Sequence, residues 1–350
     1  MTSGHFTAEE ISSQASVWRK LFEKFNVDRG NHKKLSELAV GRSFVVTGCG
    51  STYYLSLSAA ALLRQYGFLA HAVPGSELAT FTQASLFENP WLLAISRSGR
   101  TSETLWAVKR FRESCPEGKV IAITCDAQSE LAKDADFCLT ASDAQEKSVV
   151  QTRSFTSAFF LTQLLVASLV GSEQMIEKLG QLPNQLVHLL DRVGDLPRKI
   201  GNDSNIQRLF FLGGGPFYGL ACEATLKAKE MTLSWSEGYH PLEIRHGPMS
   251  VVDKNSLVVG FLSDCGFEAE RRVLRDMKKL GAQVMVFTED GSAFEQDEVD
   301  YLVDVRSGLS DWERGPLYLP VLHWIFYYRA LSRGLNPDEP ANLTAVVELS

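Results

Sequence analysis

The residues Ala94-Ile-Ser-Arg-Ser-Gly-Arg-Thr-Ser-Glu-Thr104 have the makings of an anion cradle. The apolar run Trp91–Ile95 reads as a buried strand. It leads into Ser96, Ser98, Gly99 and Thr101, and an amphipathic helix begins near Ser102. A helix N-terminus presents unsatisfied backbone N–H groups and the positive end of its dipole, so it attracts anions, and nearby hydroxyls add donors. Serine and threonine donors in place of a lysine suit a small phosphorylated ligand held without a metal. Capping the helix needs one hydroxyl. Here three surround one glycine.

A second cluster carries titratable groups. Lys227 and Glu230 are three residues apart on an expected helix and share a face. A lysine beside a glutamate keeps it ionised, while burial raises its affinity for a proton, so Glu230 is a candidate base. The segment Glu237-Gly-Tyr-His-Pro-Leu-Glu-Ile-Arg-His-Gly-Pro248 follows. It is too polar for a core element and reads as a fixed loop that presents histidines and glutamates. His246 is its candidate proton-transfer group.

These groups must be positioned by a frame, and the frame is legible. Residues 7–40 read as two amphipathic helices. Strands are expected at 44–47, 70–73, 92–96, 120–124 and 137–140, with helices between, and an apolar helix at 154–171. A helical stretch at 173–200, broken by Pro183 and Pro197, acts as a connector. The pattern then restarts, with strands at 209–212, 256–261, 283–287 and 301–305. Val45-Val-Thr-Gly-Cys-Gly50 aligns on Phe210-Phe-Leu-Gly-Gly-Gly215, which marks an internal duplication. Alternating strands and helices imply an α/β fold in which each half is a doubly wound, mostly parallel sheet flanked by helices. Such sheets bind ligands at the carboxyl ends of their strands. The glycine loop after the first strand lacks the full dinucleotide fingerprint, and no acidic residue closes the second strand, which argues against NAD.

Composition narrows the partners. The 350-residue chain is 45% hydrophobic and 22% charged, as soluble globular proteins are. A net charge of −7 and no basic block argue against nucleic-acid binding. Six cysteines without C-x-x-C spacing imply a reduced, cytoplasmic protein with no zinc site. The polar N-terminus carries no signal peptide, and the apolar segment 158–170 is too short to span a bilayer.

At the level of motifs the chain resembles the sugar isomerase (SIS) family, with two tandem SIS domains, as in the isomerase half of glutamine–fructose-6-phosphate aminotransferase. It is also similar to the stand-alone phosphosugar deaminase/isomerases of that family. The resemblance covers about residues 8–345. It rests on Gly48-Cys-Gly-Ser-Thr52, Ser96-Arg-Ser-Gly99 with Thr101, Glu146-Lys-Ser-Val-Val-Gln-Thr-Arg-Ser-Phe-Thr156, Lys227-Ala-Lys-Glu230 and Glu243-Ile-Arg-His-Gly-Pro248. It implies an N-terminal helical segment at 1–40, SIS domains at 41–172 and 205–335, a connector at 173–204 and a tail at 336–350. It further implies that Thr52, Ser96, Arg97, Ser98 and Thr101 hold a sugar 6-phosphate, and that Val149, Gln151 and Thr152 line the sugar. Glu230 matches the family's base, Lys227 a lysine that orients it, and His246 the histidine that opens the ring. That histidine can come from a neighbouring subunit, which implies a homodimer with composite sites. The resemblance implies no metal and no cofactor.

Two departures point to a degradative reaction. The SIS pattern starts almost at the first residue, leaving no expected glutaminase domain. In the tail, the family synthase's arginine and its Schiff-base lysine fall on Ala341 and Ala345. The expected reaction turns an amino-hexose 6-phosphate and water into a ketose 6-phosphate and ammonia. The alternatives are a plain aldose–ketose isomerase, a fructosamine-6-phosphate deglycase and a non-catalytic sugar-phosphate sensor. Retention of Glu230 and His246 weighs against the sensor.

Overall fold

A computed structural model describes residues 3–82 and 87–345. The chain forms two compact units. One comprises Ser12–Pro183 with Thr344–Ser350, the other Met1–Ile11 with Asn184–Leu343. The division falls inside the segment expected as a connector.

In chain order the elements begin with three helices, α1 (His5–Ser12), α2 (Gln14–Val27) and α3 (Arg29–Leu38), where two were expected. The breaks fall at Ser13 and Asp28, small polar residues that favour helix ends over helix interiors. The first sheet unit follows: β1 (Ser43–Gly48), α4 (Ser51–Gln65), β2 (Ala70–Pro74), α5 (Gly75–Thr80), β3 (Pro90–Ile95), α6 (Ser102–Ser114), β4 (Val120–Thr124), α7 (Glu130–Asp134), β5 (Phe137–Thr140) and α8 (Arg153–Val170). Its five strands lie in the order β2-β1-β3-β4-β5, all pairs parallel. The central strands β1, β3 and β4 are buried along their whole length, because helices cover both faces of a parallel sheet. α8 is long and apolar enough to cross a membrane, but 89% of it is buried within the protein, as a core helix packed on α2, α3 and α4.

The connector is interrupted just before Pro183 and Pro197, as expected. They sit in the first turns of α10 (Leu182–Val193) and α11 (Leu196–Gly201), after α9 (Glu173–Leu179), where a missing N–H costs nothing. The second unit then repeats the plan. It holds β6 (Arg208–Gly213), α12 (Phe217–Thr232), β7 (Trp235–Tyr239), β8 (Ser256–Phe261), α13 (Phe267–Lys279), β9 (Gln283–Thr288), β10 (Tyr301–Asp304), α14 (Asp311–Arg314) and α15 (Tyr318–Ser332). Its order is β10-β9-β8-β6-β7, which read from the other edge is the order of the first sheet. The duplicated glycines have a shared reason. A Cβ on Gly48 would meet the Thr52 backbone at 2.6 Å, and one on Gly213 the Phe217 backbone at 2.3 Å.

β7 is the element that the expected loop at 237–248 conceals. Trp-Ser-Glu-Gly-Tyr lacks an apolar run, yet it pairs in parallel with β6 over Arg208↔Trp235 to Leu212↔Tyr239. An edge strand is covered on fewer sides than a central one, so it tolerates polar residues. In α13 the buried positions Glu270, Val273, Leu274 and Met277 follow the i, i+3, i+4, i+7 stripe of an amphipathic helix, with one carboxylate at its head.

Candidate active site

The first sheet reverses direction between β1 and β3, and the loops after these strands carry the cradle residues. This is the switch point where doubly wound sheets take ligands. Thr101 occupies the N-cap of α6 without capping it. Its hydroxyl instead lies 3.3 Å from that of Ser96. Ser96, 2% exposed, accepts the Gly99 N–H at 3.1 Å, and Ser98 accepts the Arg100 N–H at 3.2 Å. The side chain of Thr101 therefore does not cap α6. Thr52 accepts the Cys49 N–H at 2.9 Å and donates to the Cys49 carbonyl at 3.0 Å, which fixes the loop opening α4. Burial pushes the Cys49 thiol up, so Cys49 is a poor nucleophile.

Gly99 makes the turn possible. Its φ is +63°, and a Cβ there would stand 2.1 Å from Ser129 Oγ. A Gly99→Ala variant is expected to melt lower than the wild type and to lose phosphate binding. Thermal scans with and without inorganic phosphate check this, and an unchanged phosphate shift would contradict the assignment.

Arg97, expected to hold the phosphate, is engaged within the chain. Its guanidinium, 10% exposed, donates to the carbonyls of Val149 at 3.0 Å and Ala345 at 2.6 Å, and lies 3.5 Å from Glu146. The fully buried Glu146 carboxylate also accepts the Thr152 N–H at 2.7 Å, the Thr152 hydroxyl at 3.0 Å and the Ser154 hydroxyl. Arg97 and Glu146 thus tie the Val149–Thr152 segment to the cradle loop. Gln151 is half-buried beside them.

In the second unit, α12 carries Glu223, Lys227 and Glu230 on one face. Lys227 is 1% exposed. It lies 3.4 Å from Glu223, which is fully buried, and in direct contact with Glu230, 18% exposed. Burial opposes the lysine's charge, but the two carboxylates outweigh it and its pKa is raised. One cation thus stands between two carboxylates, with Glu230 at the exposed end. Glu223 was not among the expected site residues, though its i−4 spacing from Lys227 was readable. His246 stands apart. It is exposed on the turn after Glu243–Arg245 and hydrogen-bonds neither Lys227 nor Glu230 through its side chain.

His323 on α15, which packs on α12, had no sequence signal. It is fully buried. Burial, with Lys227 second, lowers its pKa to about 3. The folded chain therefore holds it neutral where the unfolded chain, near 6.5, takes up a proton. Its contribution to stability is complete above pH 6.5 and is lost as the pH falls toward 3, at up to roughly 1.4 kcal/mol per pH unit. Denaturant titrations at several pH values are expected to show a flatter acid profile for His323→Gln than for the wild type. Parallel profiles would contradict this.

Among the described residues, no three His, Cys, Asp or Glu side chains converge as a metal site. All six cysteines are free thiols.

Two parallel sheets of one strand order, one ending in a hydroxyl-lined switch point and the other carrying a buried ionic cluster, define a duplicated doubly wound α/β protein. Residues 37–168 match the SIS domain. The chain is 24% identical over 365 residues to the glutamine–fructose-6-phosphate aminotransferase of Caldanaerobacter subterraneus subsp. tengcongensis, covering 98% of this chain and 59% of that protein. It is 28% identical over 350 residues to that of Sulfolobus acidocaldarius, covering 98% and 56%. The chain thus spans somewhat more than half the length of these relatives. The crystal structure of glucosamine-6-phosphate deaminase from Thermotoga maritima superposes with a TM-score of 0.78 at 27% identity, over 98% of this chain and 99% of that one. Tagatose-6-phosphate ketose/aldose isomerase from Escherichia coli gives 0.85 at 22% identity, over 97% and 96%, a likeness of fold. This chain carries a SIS domain, has the SIS phosphosugar isomerase fold, and is homologous to the isomerase domain of glutamine–fructose-6-phosphate aminotransferase.

Proposed function

We propose that this chain, an enzyme of the SIS phosphosugar isomerase type, converts a 2-amino-2-deoxyhexose 6-phosphate and water into a ketose 6-phosphate and ammonia. The observation that carries the reading is the Glu223–Lys227–Glu230 cluster, in which a buried lysine holds a carboxylate at the exposed end of a helix face. The 27% identity to a deaminase over nearly the whole of both chains supports the choice of reaction.

Thr52, Ser96, Ser98 and Thr101 hold the 6-phosphate, and the phosphate fixes the reacting carbons by binding energy remote from them. Arg97 braces the segment Val149, Gln151 and Thr152, which lines the sugar. His246 moves a proton between O5 and O1 and opens the ring; its exposure suits service to a second copy in a homodimer. Glu230 removes the C2 proton of the open aldehyde, giving an enolamine, and returns the proton to C1. C2 is then an imine, water adds to it, and ammonia leaves as the ketone forms. Lys227 keeps Glu230 aimed, and Ala345, where the family synthase has its lysine, offers no amine for a Schiff base.

The test is ammonia and ketose phosphate measured together from purified protein supplied with glucosamine 6-phosphate or galactosamine 6-phosphate. Equal amounts of both products from one sugar are expected. Ketose 6-phosphate from an aldose 6-phosphate without ammonia would replace the reading with a plain isomerase. Thermal stabilisation without any product would replace it with a sensor.

A further inference from the structure

The second sheet has its own switch point, between β6 and β8, and that position is filled from within the chain. The loop after β8 repeats the turn of the first cradle. Ser263 Oγ accepts the Gly266 N–H at 3.0 Å, as Ser96 Oγ accepts that of Gly99. Here, however, a carboxylate occupies the donors. Glu270, in the first turn of α13, accepts the Ser263 N–H at 2.7 Å and the Ser263 hydroxyl at 2.9 Å. It is 7% exposed. Both neighbouring glycines crowd it: Cβ atoms on Gly266 and Gly214 would stand 2.7 and 3.1 Å from Glu270 Oε1. Gly214 belongs to the loop after β6, so the carboxylate sits against both loops that form the switch point.

Seven residues after Ser96, where Glu270 stands after Ser263, is Glu103. Its carboxylate is not hydrogen-bonded to Ser96, and its Oε2 is buried with no partner among the described residues. The serine of the first cradle is therefore not held by the carboxylate of its own helix, while that of the second is. Nearby, Asp264 accepts from Arg314 at 2.6 and 3.1 Å, and Asp311 accepts the Asp264 N–H at 3.0 Å. A cavity of about 420 Å³ opens beside Glu270, lined by Gly214, His240, Pro241, Leu242 and Glu243, and gives small solutes access to it.

We propose that Glu270 is a built-in occupant of the second switch point, a carboxylate standing where a ligand anion would bind, and that it confines each chain to one phosphosugar, at the first switch point. The inference rests on the phosphosugar reading for its second half only. Burial raises the Glu270 pKa, consistent with a group held by fit to the crevice rather than by a cation.

Two measurements test it. Calorimetric titration of the wild type with glucosamine 6-phosphate is expected to saturate at one molecule per chain. Thermal unfolding in rising acetate is expected to restore several degrees of melting temperature to Glu270→Ala, because acetate replaces the missing carboxylate. The wild type and Glu270→Gln, whose side chains still fill the crevice, are expected to stay flat. Two sugar phosphates per wild-type chain would overturn the proposal. So would a folded Glu270→Ala protein that responds to acetate no more than the wild type. If the wild type binds no sugar phosphate at all, the phosphosugar reading fails, and the acetate measurement still judges the occupant.

Discussion

Replacing Lys227 with methionine is expected to destabilise the protein by about 3–5 kcal/mol, the usual cost of removing one partner from a buried ion pair. The geometry places this variant at the severe end. Lys227 is 1% exposed and is the cation between Glu223, at 3.4 Å and fully buried, and Glu230, in contact with it. Without it two carboxylates face each other across an apolar gap, and at least one must take up a proton. The loss is thus expected to shrink at low pH, where protonation is cheap. Adding Glu223→Gln to Lys227→Met should recover part of the loss, because one of the two stranded charges is gone. Urea titrations of the single and double variants check both statements. A loss under about 1 kcal/mol, typical of exposed ion pairs, would show that the cluster is solvated and not a buried device.

The second large effect concerns rate. Glu230→Gln keeps shape and still accepts a hydrogen bond from Lys227, but it cannot take a proton from carbon. General bases contribute about 10²–10⁴ in rate. A fall in kcat of that size is expected, with KM changed little, because the proposed phosphate donors lie in a different part of the chain. Steady-state ammonia or ketose assays supply both constants. Activity within about fivefold of wild type would move the base elsewhere. A rise in KM alone would make Glu230 a binding group.

Much of this was readable one residue at a time. The hydroxyls around Gly99 and the Lys227–Glu230 spacing are local patterns, and both land where local rules put them, at a strand end and on one helix face. Glu223 was equally readable, four residues before Lys227. Other features lay beyond local reading. β7 hid because an edge strand needs no apolar run, and the N-terminal helices number three because Ser13 and Asp28 end helices without interrupting the apolar pattern. The family resemblance put Arg97 among the phosphate ligands. Its engagement with the carbonyls of Val149 and Ala345 depends on segments far away in the chain.

By itself, the sequence determined the α/β alternation, the duplication, the strand positions in the core and the two chemical clusters. Each of these follows from hydrophobic period, glycine placement or spacing along one helix, all of which act over a few residues. Tertiary structure alone decided which charges are buried, which hydroxyls are spent on the fold, and which of two similar switch points holds the carboxylate of its own helix. Ser96 and Ser263 sit in the same kind of turn. Ser263 is held by Glu270 and Ser96 by no carboxylate, because solvation and hydrogen bonding depend on what the folded chain brings within about 3 Å. His323 is the clearest case: nothing near it in sequence marks it, and only its burial against α12 keeps it neutral beside Lys227.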